Sequence, residues 1–297
     1  MSPGPGAVVA VLLAAALFGT TGTAQALGPA STTPLGVGAA RLVLGGLALL
    51  VLVSGRRGVL ALWRTPTGLL AGACTALYQV CFFAGVDRAG VAIGTLVAIG
   101  SGPVLTGLLA ARLLHERPGR PWLVATAVCV AGLALLTGSG AERPDPVGVL
   151  LALLAGGSYA AYTVLAKQQL DAGHAPATVM AAAFGLGGLL SLPLLMTQPV
   201  GWLATGGGVA LAAYLGLVTV TLAYLLFVRG LAVLPAGPVT TLVLAEPVVA
   251  TALGVVVLDE RLSAVAVAGA GLVLLGLLLQ GREWQTASQP ADHEEQP

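Results

Sequence analysis

Glu246 is the side chain best placed to do chemistry, because it is a carboxylate inside the apolar run Leu244-Ala-Glu246-Pro247-Val-Val-Ala-Thr-Ala-Leu-Gly254. It lies about ten residues into the run, or about 15 Å along a helix. An ionised group near the centre of a membrane helix costs about 2.5–3.5 kcal/mol, so it needs a partner, water or a proton. A carboxyl that alternates between a protonated and a substrate-bound state would act as a coupling group. The competing reading is a protonated Glu246 held by backbone that Pro247 has freed. Arg41 is the natural counter-charge, roughly 9 Å in from the end of its own run and long enough to snorkel outward.

Other polar and aromatic side chains fall at helical spacing: Phe18, Thr21 and Gln25; Ser158, Tyr159 and Tyr162; Thr221 and Tyr224; and the neighbours Tyr78 and Gln79. A tyrosine buries its ring while offering a hydroxyl, which suits amphiphilic substrates. The plainer role is hydrogen bonding between helices, worth about 0.6 kcal/mol each. Pro103 and Pro247 each remove a backbone donor inside an apolar run and should kink it, and matched interruptions point to a site near the midplane. Glu116-Arg117 and Glu260-Arg261 end matched runs. They read first as turn-forming pairs, with gating by charge pairing as the alternative.

These residues must be positioned by membrane helices. Of the 297 residues 57% are hydrophobic and 8% charged, against roughly 25% charged in a soluble domain. Apolar runs predict an all-α membrane protein with ten transmembrane helices, near 7–26, 35–54, 66–86, 90–113, 121–138, 147–166, 176–196, 207–228, 236–258 and 263–280. Ala24-Gln25-Ala26 resembles a cleavage site, but Met1-Ser-Pro-Gly-Pro-Gly carries no basic residue, so the first span is retained. A polar, disordered tail is expected over 281–297.

The chain also repeats itself. Pro103, Glu116, Arg117 and Gly132 recur 144 residues on as Pro247, Glu260, Arg261 and Gly276; Pro34, Gly45 and Gly46 recur 142 residues on as Pro176, Gly187 and Gly188. Residues 1–140 and 141–280 are therefore read as two five-helix repeats. An odd number of helices per copy makes the second repeat inverted relative to the first. Nine Lys and Arg fall in one set of loops and three in the other, which places both termini in the cytoplasm. Within the repeat, Glu246 corresponds to Gly102 and Arg41 to Ala183, so neither charge is required by the scaffold.

The pattern resembles the drug/metabolite transporter superfamily, in its EamA-type branch. The residues that carry the likeness are Ala245-Glu246-Pro247, Leu258-Asp-Glu260-Arg261-Leu262 and Gly276-Leu-Leu-Leu, with Gly102-Pro103-Val104, His115-Glu116-Arg117 and Gly132-Leu133-Ala134-Leu135-Leu136 in the first half. The resemblance spans about residues 7–280. It implies a ten-helix inverted-repeat exporter with a cavity between the halves, and it leaves the substrate open. It also makes Arg41 either an anchor for a substrate carboxylate or a tie to another helix. Where relatives commonly show Trp-Gly in the first helix, this chain has Phe18-Gly19.

The expected function is secondary active export of small metabolites such as amino acids or related amphiphiles across the cell membrane, with protons as a coupling ion. A uniporter of the same fold and a non-transporting membrane interaction protein are the alternatives. The partners expected are the lipid bilayer, a small-molecule substrate and protons. A net charge of +1 gives no nucleic-acid face. No phosphate-binding glycine loop is present, so ATP hydrolysis is not expected, nor is any other enzyme activity. Cys74, Cys81 and Cys129 are scattered, as are His115, His174 and His293, so neither metal nor other cofactor is expected.

Overall fold

A computed structural model describes residues 5–53, 56–117, 119–138 and 145–287. The helices are α1 (Pro5–Ala26), α2 (Pro34–Leu52), α3 (Arg56–Trp63), α4 (Pro66–Ala89), α5 (Val91–Leu113), α6 (Arg120–Thr137), α7 (Pro146–Asp171), α8 (Pro176–Met196), α9 (Gly206–Ala213), α10 (Ala223–Leu231), α11 (Ala236–Leu242), α12 (Ala245–Leu258) and α13 (Ala264–Ala287). No strand occurs among the described residues.

Helix starts follow from local chemistry. α2, α4, α7 and α8 open on Pro34, Pro66, Pro146 and Pro176, where a missing N–H is one the helix could not have used. Thr33 and Thr65 accept the N–H groups of Gly36 and Gly68, and Asp145 accepts that of Val147. At the other end of the chain, α13 continues to Ala287, seven residues into the stretch expected to be a disordered tail. The rest of that tail, 288–297 with His293, lies outside the described residues, as do Glu142, Arg143 and Pro144 of the connection between the repeats.

Nine helical stretches among the described residues are long and apolar enough to cross a membrane: α1, α2, α4, α5, α6, α7, α8, the continuous rod Gly206–Leu231 and the rod Ala236–Leu258. The apolar part of α13, Ala264–Gln280, is shorter. Large apolar side chains such as Leu47, Val51, Leu108, Leu150, Val256 and Leu278 face outward, as a hydrocarbon solvent requires.

Three features depart from the regular spans. The basic connection after α2 folds into the short helix α3. Tyr214–Leu222 widens into a π-helix between α9 and α10, where the Thr221 hydroxyl donates to Gly216 O at 3.0 Å and to Gly45 O at 3.2 Å. The ninth span breaks at Val243–Leu244, between α11 and α12. Pro247 accounts for that break, since it has no N–H to offer the Val243 carbonyl and its ring crowds that oxygen. Val243 O instead accepts from Glu246 N at 2.9 Å. The matching Pro103 leaves α5 unbroken, so the interruption expected in both halves occurs in one.

Packing between elements has two-fold character. The α4 contact with α7 has its equivalent in α1 with α10, and α5 with α7 in α1 with α12, while α2 with α8 and α6 with α13 are self-equivalent. Repeat glycines make the self-equivalent contacts. A Cβ on Gly132 would strike Val273 N and Gly269 O, and one on Gly276 would strike Cys129 and Ala125 O. Subtracting the repeat offset turns each neighbour set into the other. Likewise Gly46 lies against the Phe184 carbonyl and Gly185, and Gly188 against the Leu42 carbonyl and Val43. Backbones meet here because small residues let helices approach in lipid, where apolar burial contributes little.

Candidate functional site

Six of the packed elements leave a cavity lined by Arg41 and Leu42 of α2, Thr75, Tyr78 and Gln79 of α4, Tyr159 and Tyr162 of α7, Phe184 of α8, Val220 of the π-helix and Tyr224 of α10. Its volume is about 20 Å³, room for a water molecule. Sites that engulf a metabolite are some 300–1,000 Å³, so the elements must part to admit one.

Aromatic rings supply five of the ten lining residues. The chain has five Phe and five Tyr, and all but Tyr214 join one chain of ring contacts. It runs from Phe83 through Phe82, Tyr78 and Tyr159 to Tyr162, which meets Phe227, Phe184 and Tyr224, and Tyr224 meets Phe18. Phe184 and Tyr224 are closest, with centroids 4.0 Å apart. Five of these nine rings line the cavity, and Phe18, Phe82, Phe83 and Phe227 pack behind them.

Charge enters the cavity at Arg41. The Arg41 guanidinium turns into the cavity instead of snorkelling, and one of its terminal nitrogens lies 3.5 Å from Gln79 Oε1. Arg41 Nε and Gln79 Nε2 have no acceptor among the described residues. Gly38 makes room for the Gln79 amide and the Phe83 ring, where a Cβ would collide with both. Glu246 is half-buried at the first turn of α12, directly after the break. Its carboxyl forms no hydrogen bond or ion pair among the described residues and does not line the cavity, although the Arg41 charge bears on it. Gly19 lets α1 close onto this turn: a Cβ there would come within 2.7 Å of Glu246 O.

Arg41, Tyr78, Gln79, Tyr159, Tyr162 and Tyr224 are thus brought together, with Glu246 within electrostatic reach. Gln25 does not line the cavity; it sits near the end of α1, where its carbonyl accepts Gly28 N–H. Ser158 donates to Leu154 O in its own helix. Thr75 and Phe184 line the cavity too, although a lone Thr or Phe in an apolar run carries no signal in the sequence.

The matched Glu-Arg pairs form matched turns. His115 and Asp259 are left-handed at φ 57° and 55°, and Glu116 N donates to Ala110 O at 3.2 Å as Glu260 N does to Gly254 O at 3.1 Å. Their side chains then diverge. The Glu116 carboxylate accepts Ala236 N–H at the start of α11, at 2.9 and 3.2 Å. Glu260 is exposed and lies back over Gly254. Arg117 and Arg261 are exposed, and the ion pairs among the described residues are Arg88–Asp145 and Lys167–Asp171. Charge pairing within the Glu-Arg pairs, one reading of the sequence, is therefore replaced by capping of a helix from a distant turn. Beside this cap, Trp122 packs on Gly107 and Gly237 and donates to Thr241 Oγ1 at 3.1 Å.

The sequence matches the EamA-like transporter family over residues 5–138 and again over 146–281. The chain belongs to the EamA-like transporter family. A Bacillus subtilis relative, "Uncharacterized transporter YwfM", is 42% identical over 271 residues, covering 91% of each chain. The "Threonine/homoserine exporter RhtA" of Escherichia coli K12 is 29% identical over 279 residues, 90% of this chain and 88% of its own. A crystal structure at 21% identity shares the fold, with a TM-score of 0.79 over 95% of this chain and 99% of that one. The two family matches fall on the two sets of helices that the packing relates. The protein is an integral membrane transporter.

Proposed function

We propose that the protein is a secondary active exporter of small metabolites such as amino acids, working by alternating access of two inverted five-helix halves in the cell membrane. Ten spans, with α13 as the tenth and both termini cytoplasmic, give this arrangement. Proton exchange at Glu246 is the proposed coupling, because that carboxyl forms no hydrogen bond or ion pair among the described residues and stands directly after a helix break inside an apolar span.

The observation that carries the reading is the divergence of Glu116 and Glu260 in a molecule whose main helix contacts are related in pairs by the repeat. On the inner face Glu116 holds the start of α11 to the end of α5. On the outer face the corresponding start of α5, at Gly90–Val91, has no side-chain cap, and Glu260 is turned away from it. Exchanging the roles of the halves would release Glu116 and bring Glu260 to the α5 terminus. The cavity would then face the other side of the membrane, which is the requirement for alternating access.

Counterflow tests the function. Proteoliposomes preloaded with a mixture of unlabelled amino acids should transiently accumulate a labelled member of that mixture above its equilibrium level. No overshoot with any member, in a preparation that remains folded and monodisperse, would contradict amino-acid transport by this protein.

A further inference from the structure

The short helix α3 packs on α8 and α4 with one face and leaves the other open. Val59 and Leu62 are buried and join the main core, Gly58 lies against Thr178, and the Trp63 indole N–H donates to Ala182 O at 2.8 Å. Arg57, Leu60, Ala61 and Arg64 follow one another at i, i+3, i+4 and i+7, and all four are exposed. Neither arginine has a carboxylate to meet. α3 and α8 contain no Asp or Glu, Asp87 of α4 lies at the far end of that helix, and the ion pairs among the described residues are formed elsewhere. Basic residues around an apolar step, on a helix anchored by a Trp, suit an element that lies in the plane of the membrane interface. The turn itself does not call for these charges. Thr65 accepts Gly68 N–H at 3.1 Å and donates to Leu62 O at 2.7 Å, as Thr205 accepts Gly208 N–H at 3.0 Å and donates to Trp202 O at 2.8 Å. The connection in the other half is thus closed by the same turn, yet residues 197–205 include no Lys or Arg.

We propose that the open face of α3 is a binding site for an anionic phospholipid, with Arg57 and Arg64 on its headgroup phosphate and the step at Leu60 and Ala61 against its acyl chains. A guanidinium matches a phosphate through two parallel hydrogen bonds. Phosphatidylcholine offers the same phosphate with its charge cancelled by an ammonium, so the site selects headgroups of net negative charge. Leu69 and Leu70, exposed at the start of α4, extend the apolar surface beyond the arginines. The site lies apart from the cavity and holds for any transported substrate.

Trp63 reports on the site from within α3. The full chain is reconstituted in phosphatidylcholine vesicles containing phosphatidylglycerol, with one of the two lipids brominated, and the Trp63 fluorescence is taken as the difference between the wild-type protein and Trp63→Phe. Both leaflets have the same composition, so the direction of insertion does not affect the result. Brominated phosphatidylglycerol should quench Trp63 with an apparent affinity about fivefold or more above that of brominated phosphatidylcholine, since each arginine near a headgroup contributes about a factor of five. Arg57→Gln and Arg64→Gln, both at exposed positions, should each lower the ratio, and the double variant should bring it to about one. Added salt should lower it in the wild-type protein. Equal quenching by the two lipids in the wild-type protein would overturn the proposal, and so would a preference that the double variant retains.

Discussion

Glu116 accepts the backbone N–H of Ala236 across 120 residues of chain, and its repeat counterpart Glu260 instead lies over Gly254 of its own helix. The turns that carry these side chains are alike, so the difference lies in what each carboxylate reaches. Ala110 occupies the position equivalent to Gly254, and its methyl group takes up the space in which Glu260 rests. Glu260 therefore has a resting place off the α5 terminus that Glu116 lacks on the other face.

Glu116→Ala should release the start of α11 and open the inner face. With spin labels at Arg112 and Val233, both exposed, the inner distance should lengthen in the variant. An unchanged distance distribution would mean that the Glu116 cap does not hold this face closed.

Gly254→Ala should have the same sense by a different route, since a Cβ there displaces the Glu260 carboxylate. Labels at Val91 and Leu262 on the outer face should then move closer. If they do not, the resting place over Gly254 has no bearing on which face is open.

Acid should favour closure of the inner face. Burial raises the Glu116 carboxyl above the ordinary carboxylate range; the Ala236 N–H and the nearby Lys167 oppose the rise, and Asp171 adds to it. Opening exposes the group and returns it to the ordinary range, so the closed state binds the proton more tightly. Its advantage is full below the ordinary range and is lost as pH rises through the raised value. The Arg112–Val233 distance should therefore lengthen with rising pH in that window, and Glu116→Gln should flatten the response.

Gly276→Val should destabilise the fold by about 1–3 kcal/mol through overpacking, because its Cβ position is already occupied by Cys129 and Ala125. Gly271 on the same helix has open space around it, so Gly271→Ala should be neutral or slightly stabilising. Thermal unfolding in detergent compares the two. Equal losses would remove the special role assigned to the repeat glycine.

How far these features were legible depends on what each residue needs from its surroundings. Pro34 and Pro176 open matched helices, and Gly46, Gly188, Gly132 and Gly276 make the self-equivalent contacts, so the repeat could be read because it uses residue types that lipid-facing positions do not need. Arg41, Gln79 and four tyrosines could be read because polar groups are rare in these spans. Gln25 was equally rare but falls near a helix end, where water can reach it. The π-helix left no trace, since Tyr214–Leu222 has an ordinary apolar sequence. Trp122 was missed, although comparison of the copies marks it as it marks Glu246: the matching residue is Ala266.

The coupling role of Glu246 is the central claim, and flux under an imposed proton gradient tests it most directly. In proteoliposomes with an outward proton gradient, the wild-type protein should accumulate substrate above the level reached without the gradient. Glu246→Gln, assayed at saturating substrate, should retain counterflow and lose the response to the gradient. A gradient response in Glu246→Gln equal to that of the wild-type protein would contradict the account.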